Sequence, residues 1–512
     1  MPVYAIKISE MPAVVTATGP ELIEVVQGSV SKKMTLDAVT GFTAVNASAT
    51  AASASAAITA RDAAIAAASA AGPVAIYQTY ALADAATGLS VGDVVEVMID
   101  ETRANSRTRY IVDAGGDLDY VLTLPRMIGV TPVRGPADHD DTASINAAMT
   151  AAGVGGVIAL MPGVTYEISA ELLPLQRQKI FGNGAIVKKR AQIVTTTTTA
   201  VTANVTTSVT LTDASAFRVG MQVAFAQQGV ARTALVYGTT LSRTCKITAI
   251  AANVVTLDGA PDINAASGST CFLAFASCNP LVSDVSVVDV TFDGNRANWS
   301  YCRWEVIAEA LTGSLTVNVI YDRCRFQEFP GEGVTLYGNA PIVDKCYFKS
   351  GSGNGVHFSG CIGARVTSNQ FEDLNLDTSI GHPDGAVAWS LGHSDCHVIG
   401  NVMLRCMAGV GGLDQALSSH AIIALNTIRD CIWFGINLGG GISHITIDTN
   451  HIYNCGPTSG GTVVSPSGFN AGPDRGGIYF ENVSGTDIVG KGNEIAGCSV
   501  DVSLNTAALR TS

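Results

Sequence analysis

The chain has 512 residues, with 30 Lys and Arg against 43 Asp and Glu, a net charge of −13. That acidity argues against nucleic acid as a main partner, because phosphate binding needs a basic surface. Only 14% of residues are charged, 47% are hydrophobic and 53 are Gly, which excludes disorder for most of the chain and fits β structure better than a helical enzyme. No apolar run reaches the roughly 18 residues of a membrane-spanning helix. The opening MPVYAIKISE lacks the basic-then-apolar pattern of a secretory leader.

In chain order, residues 1–45 are turn-rich, and Glu24-Val25-Val26-Gln27 reads as a small β element. Residues 46–73 are mostly Ala, Ser and Thr. Over 46–71 Ala favours a helix about 39 Å long, a thin stalk that wants partners, and Gly72-Pro73 ends it. Ile58 and Ile65 sit one heptad apart, as in a trimeric coil; a flexible linker is the other reading. Residues 74–130 form a small β connector domain, with strands at Val91–Val97 and Arg107–Val112.

Residues 131–190 begin with Asp138-His139-Asp140-Asp141-Thr142 before Ile145, Ala148 and Met149, a helix capped near Asp141. Two short strands follow, Gly155–Leu160 and Pro162–Tyr166, so this stretch reads as a capping helix and first rungs. Residues 191–280, with a threonine run at 195–199, read as an inserted β domain or irregular rungs.

From 281 to 512 the sequence repeats. Val290, Cys324, Cys346, Asn369, Asn401, Asn426, Asn450 and Asn493 each precede a short apolar segment, at spacings of 34, 22, 23, 32, 25, 24 and 43. A Gly-aliphatic strand recurs once per unit, as at Gly333-Val334, Gly355-Val356, Gly435-Ile436 and Gly477-Ile478. A period in the twenties with short strands means a parallel β-solenoid whose units stack at about 4.8 Å. The Asn row then forms a ladder bridging successive turns, not a binding site. Cys406, Cys431, Cys455 and Cys498 form a second row of small apolar filling, and the 12 cysteines, which start only at Cys245, read as buried thiols.

Several of these segments resemble known families. Lys7-Ile8-Ser9-Glu10-Met11-Pro12, Glu21–Gly28 and Lys32-Lys33-Met34-Thr35 resemble the virion-anchoring start of phage tail fibres and tailspikes. The pattern from Gly92-Asp93-Val94 to Arg107-Thr108-Arg109-Tyr110 resembles a module that precedes tailspike bodies. The order Asp140-Asp141-Thr142, Gly155-Gly156-Val157, Pro162-Gly163-Val164 resembles the opening of pectate-lyase-like right-handed parallel β-helices, whose helix caps the first rung. These resemblances imply a homotrimer attached by its N-terminus to phage tail or portal-adaptor proteins. It would be assembled in the host cytoplasm and act outside the cell on a host surface glycan. No separate C-terminal trimerisation domain is recognised. No cofactor, metal, nucleic acid or membrane insertion is expected.

Alternation along the Gly-aliphatic strands points Val334, Leu336, Val356 and Phe358 inward, and Thr335, Tyr337, His357, Asn437 and Tyr479 outward. The same alternation points Trp389 inward. The outward row suits an extended polysaccharide, and the binding candidates are Tyr337, Asn437 and Tyr479 of that row together with Trp389 and Asp414. Trp299, Tyr301 and Trp304 are expected near the same groove. The string His382-Pro383-Asp384-Gly385 resembles an HxDG motif of some carbohydrate-active β-helices; the other reading is a polar surface loop. Catalytic candidates are Asp384 paired with Glu332 or Glu309, assisted by His382 or His357. Glu332 would lie two rungs from Asp384, about 10 Å, near the upper end for an inverting carboxylate pair. Gly392-His393-Ser394-Asp395 lacks the paired aspartates of a polygalacturonase. The sequence leaves open a depolymerase, either glycosidase or lyase, a non-cleaving receptor-binding fibre, and a structural tail component.

Overall fold

The computed structural model describes residues 75–103, 106–124, 127–130, 132, 140–227, 236–237, 241–274, 282–302, 316–374, 385–390, 393–411, 419–439, 442–456, 463–464, 470–471, 476–481, 488–499, 502–505 and 509–511, together with the strands Leu22–Gln27 and Val30–Thr35. Two units are distinguished, Met1–Leu124 and Pro125–Ser512. The stalk at 46–73, the Lys7–Pro12 motif and the candidates Glu309, His382, Asp384 and Asp414 lie outside the described residues.

In the first unit, Leu22–Gln27 and Val30–Thr35 pair as an antiparallel hairpin, with Glu24 opposite Lys33. A separate sheet runs Ala75–Thr79, Val94–Asp100, Ser106–Val112, Leu118–Leu124 over a core of Val95, Val97, Tyr110 and Val112. Its organising residue is Asp100. The carboxylate is fully buried and accepts from the hydroxyls of Thr102 at 2.6 Å and Thr108 at 2.8 Å, and from that of Tyr110. Burial alone would raise its pKa, but these donors outweigh it and hold the carboxyl below its usual range. The Asp-Glu-Thr-Arg and Arg-Thr-Arg-Tyr pattern of the connector is thus the chemistry of one buried network.

The second unit opens with strand Met127–Val130, expected in the connector, which pairs instead in parallel with Val157–Leu160. The helix Thr142–Ala152 buries Ile145, Ala148, Met149 and Ala152. Asp141 makes no side-chain cap; Asp140 takes that role, accepting from Thr142 N at 3.1 Å and Thr142 Oγ1 at 2.6 Å. Asp141 instead bridges to the first rung, since Glu167 N donates to its Oδ2 at 2.9 Å and its own N–H donates to Glu167 O. The insertion is an antiparallel six-stranded sheet between Val194 and Ala274, with its own core of Val209, Phe217, Val223, Phe225, Ile247 and Leu273.

The remainder is a parallel β-helix with three faces. Face 1 carries strands Val334–Asn339, Val356–Ile362, Val387–Ser390, Ala408–Gly411, Phe434–Gly439 and Ile478–Glu481. Face 2 carries Ile320–Asp322, Ile342–Asp344, Arg365–Thr367 and their successors, and face 3 carries Arg325–Gln327, Tyr347–Lys349, Gln370–Glu372 and theirs. The register places Val290, Cys324, Cys346, Asn369, Asn401, Asn426, Asn450 and Asn493 in a single row, as the spacing predicts. Asn401 shows what the row does. Its Oδ1 accepts from the backbone N of Asn369 at 2.9 Å and from Asn369 Nδ2 at 3.0 Å. Its Nδ2 donates to Val366 O at 2.9 Å and Asn426 Oδ1 at 3.0 Å.

Inside, Phe292, Phe326, Phe348 and Phe371 stack with ring centroids 5.1, 4.8 and 4.8 Å apart. Met403, Ile428 and Ile452 continue the column. The column explains the recurring Gly: a Cβ on Gly355 would lie 2.6 Å from Phe371 Cδ1. Among the described residues, the corners between faces carry residues with positive φ, such as Lys345, Ser350, Arg405, Leu425 and His444. Most of these are not glycine, although the left-handed region costs a non-Gly residue about 1–2 kcal/mol.

Two mutations follow. Asn401→Ala strips partners from two buried N–H groups and one carbonyl, and is expected to cost about 3 kcal/mol by urea midpoint, whereas exposed Gln370→Ala stays within about 0.5 kcal/mol. Leu425→Gly, at a corner with φ 57° and a side chain 58% exposed, is expected to gain about 1 kcal/mol in the same measurement.

Candidate functional site

The outward row of face 1 forms as expected: Thr335 pairs with His357, His357 with Ala388, and Asn437 with Tyr479. The inward row Val334, Leu336, Val356, Phe358, Ile436 and Leu438 is fully buried. The row differs from an open groove in one respect. Thr335, Ala388, Asn437 and Tyr479 are 5%, 1%, 0% and 3% exposed, so Asn437 and Tyr479 do not meet solvent in this conformation. Beside them, Met407, Ala408, Trp433 and Phe434 form an apolar cluster separate from the interior core. Alternation along the Gly-aliphatic strand did not reveal this closure.

Polar chemistry collects two to three rungs earlier. Glu332, in the turn entering Val334–Asn339, places Oε1 2.8 Å from His357 Nδ1. Thr335 Oγ1 donates to Glu332 Oε2 at 2.7 Å, and Asn354 Nδ2 to Oε1 at 3.3 Å. The His357 side chain is 19% exposed and that of Glu332 10%. With the proton on Nδ1, Glu332 accepts from three donors and fixes the orientation of the imidazole. Tyr337, two residues beyond Thr335, is half-buried. Trp389 lies on a described strand of face 1. The structure therefore brings together Glu332 and His357, the two candidates of the catalytic set that fall within the described residues.

Other candidates go elsewhere. Trp299 and Tyr301 are 5% and 2% exposed. Trp299 Nε1 donates to Arg190 O at 3.0 Å and its ring covers Lys189, while Tyr301 stacks on Phe272 of the insertion at 4.9 Å. They seal the junction with the insertion instead of lining face 1. His393 faces the interior, with its ring 5.9 Å from Phe358. Burial, with a smaller contribution from His357, lowers its pKa to about 4, so it is neutral at physiological pH. His420 and His444 stack at 4.6 Å on successive corners. Among the described residues no three His, Cys, Asp or Glu side chains converge as a metal site.

Face 3 carries a cluster that the sequence reading missed. Tyr347 donates to Glu372, and Arg405 reaches Glu372 and, at 2.8 Å, Asp373. Arg325 lies 4.7 Å over the Tyr347 ring. Burial and then Glu372 push the Tyr347 hydroxyl up to about 12. Arg405 pairs with both carboxylates and Arg325 covers the Tyr347 ring, so the cluster reads as a stitch across rungs; only the two-residue alternation around the buried Phe column signals it.

Residues 316–508 match the family model described as right handed beta helix region. No curated protein matches the chain. Among solved structures, the tailspike gp61 of Pseudomonas phage phi297 is 12% identical, over 71% of this chain and 58% of that one, with a TM-score of 0.30. The surface adhesin PfbA of Streptococcus pneumoniae is 13% identical, over 74% and 93%, with a TM-score of 0.37. The tailspike Gp54 of Acinetobacter baumannii bacteriophage AP22, solved with a capsular saccharide, is 9% identical, over 70% and 66%, with a TM-score of 0.20. The chain thus spans less than two thirds of the length of either tailspike. Fold does not assign function, which has to be argued from this chain's own residues.

The buried imidazole gives a pH test. His393 binds its proton near pH 6.5 when unfolded and near 4 when folded, so its stabilising contribution is full above 6.5 and falls away toward pH 4, by roughly 3 kcal/mol. The preceding rung holds Cys361 at that place and the second rung beyond holds Ile442, so His393→Ile is expected to fold. Its urea midpoint should change less than that of the native chain between pH 7.5 and 4.5. Buried Glu171, raised to about 7, has the opposite slope but is common to both proteins and cancels in the comparison.

Proposed function

We propose that the chain is a phage tail fibre or tailspike subunit whose β-helix binds a host cell-surface polysaccharide along face 1. The observation that carries this reading is the Glu332–His357 pair, a half-open ionisable group on the outer face of a solenoid where most of the row is closed. The hairpin formed by Leu22–Gln27 and Val30–Thr35 supports the resemblance of that segment to a virion anchor. Trimerisation and attachment to tail or portal-adaptor proteins through the N-terminus follow from the same resemblance, as does a place in the virion tail.

In the cleaving form of this reading, His357 is the proton-transfer group, Glu332 orients it, and Asp384 supplies the second carboxylate, with His382 and Glu309 as further candidates. Tyr337 offers aromatic surface to sugar rings and Asp414 a polar contact, whereas Trp389 shares the register place of inward Phe358. A second reading, a non-cleaving receptor-binding fibre, is favoured by the closure of face 1 over Asn437 and Tyr479.

The test is a panel of bacterial capsular and O-antigen polysaccharides, scored for binding and for new chain ends. Cleavage by the native chain, with turnover lowered about 10²-fold or more in Glu332→Gln and His357→Gln and binding retained, supports the depolymerase. Binding without new ends supports the receptor-binding fibre. Absence of binding to every surface glycan of a susceptible host overturns both.

A further inference from the structure

The cysteines of the β-helix fall into two geometries. Cys406, Cys431, Cys455 and Cys498 occupy one place in successive rungs: Ile432 N donates to Cys406 O, Gly456 N to Cys431 O and Ser499 N to Cys455 O. Equivalent places give parallel Cα–Cβ vectors at the rung spacing of about 4.8 Å, beyond the roughly 3.5–4.5 Å between Cβ atoms in a disulfide. Cys406 Sγ and Cys455 Sγ contact carbonyls of their own rung, Leu404 O at 3.5 Å and Tyr453 O at 3.4 Å, as Cys396 Sγ does with Ser394 O at 3.4 Å, while Cys498 Sγ also reaches Ile452 O of the preceding rung at 4.0 Å. The difference between the two sets is therefore one of place, not of these contacts.

Cys361 and Cys396 are not equivalent. Cys361 lies on the face 1 strand Val356–Ile362, just before the corner residue Gly363. Cys396 lies one rung on, just past the corresponding corner residue Asp395. The two flank the same corner from opposite sides, so side chains that both point to the interior converge. Their sulfurs are 3.9 Å apart, with exposures of 0% and 1%. The cover over the corner is thin, for Ile362 is 52% exposed. The contact with Cys361, opposed by burial, lowers the pKa of Cys396 and favours a thiolate there.

We propose that Cys361 and Cys396 are a disulfide-forming pair, thiols as the chain folds and joined when the protein meets an oxidising medium. The bond would tie together the two ends of residues 362–395, the stretch that contains Asp384. The oxidant is a low-molecular-weight disulfide. The Cys396 thiolate attacks one of its sulfurs, the S–S bond breaks, and one thiolate leaves. Cys361, its proton passed to solvent, attacks the Cys396 sulfur of the mixed disulfide and expels the second. Two protein thiols lose two electrons and two protons, and one small disulfide becomes two thiols. This inference does not depend on what face 1 binds.

The experiment treats the reduced, full-length chain with oxidised glutathione, then alkylates in denaturant and maps peptides without reduction. The expected result is one cross-linked pair, Cys361 with Cys396, lighter by two hydrogens, while Cys406, Cys431 and Cys455 remain alkylated. Tm should rise by a few degrees in the native chain and not in Cys396→Ala, a substitution that neighbouring rungs already carry as Ala364 and Ala421. Complete alkylation of both cysteines after treatment, or cross-linking within the Cys406–Cys498 ladder to the same extent, overturns the proposal.

Discussion

Everything in the β-helix depends on satisfying backbone polar groups where a short strand turns into the next. Three-residue strands leave little room, and one amide at the corner between faces 2 and 3 has no carbonyl above it. A buried donor left unmade costs about 1–3 kcal/mol, and this one recurs at Cys346, Asn369, Asn401, Asn426 and Asn450. The Asn ladder meets it with one side chain that accepts at the corner amide and donates to the preceding strand. That solution works only if the residue occupies the same place each time, so the row enforces the period. Added length must go where the ladder is not crossed. The two longest spacings of the Asn half of the row, 32 and 43, place their extra residues between faces 3 and 1 or just after face 1. Variation in chain length is thereby directed to face 1.

The interior follows the same rule. A column of phenylalanines packs because the rung spacing suits stacked rings, and it requires a residue without Cβ opposite. Where the column changes to Met403, the opposite place admits Ala386, consistent with a more adaptable side chain. His393 shows the limit: an imidazole is accommodated inside because burial keeps it uncharged.

Face 1 then combines two behaviours. Over the later rungs it is closed and partly apolar, around Trp433 and Phe434. Over the earlier rungs it presents a carboxylate locked by Thr335, Asn354 and His357, with the imidazole at the surface. A carboxylate with three donors is poorly suited to act alone as acid or base, and well suited to hold a histidine. In the proposed cleaving reading, Glu332 is therefore a positioning group for His357 and not one of two equivalent carboxylates.

The sequence by itself determined the solenoid, its period, the Asn and Cys rows and the inward row of face 1, because each depends on a residue type recurring at one spacing. It also placed Glu332 and His357 on adjacent rungs. Only the tertiary structure decided the corners, since Lys345, Arg405 and Leu425 carry no mark of the positive φ that they adopt. It alone decided that Asp140 caps the helix while Asp141 binds the first rung, and that Trp299 and Tyr301 seal the insertion. It alone set exposure along face 1. Periodicity reports which way a side chain points from its own strand, whereas exposure depends on what packs over it from distant parts of the chain, and no local pattern encodes that.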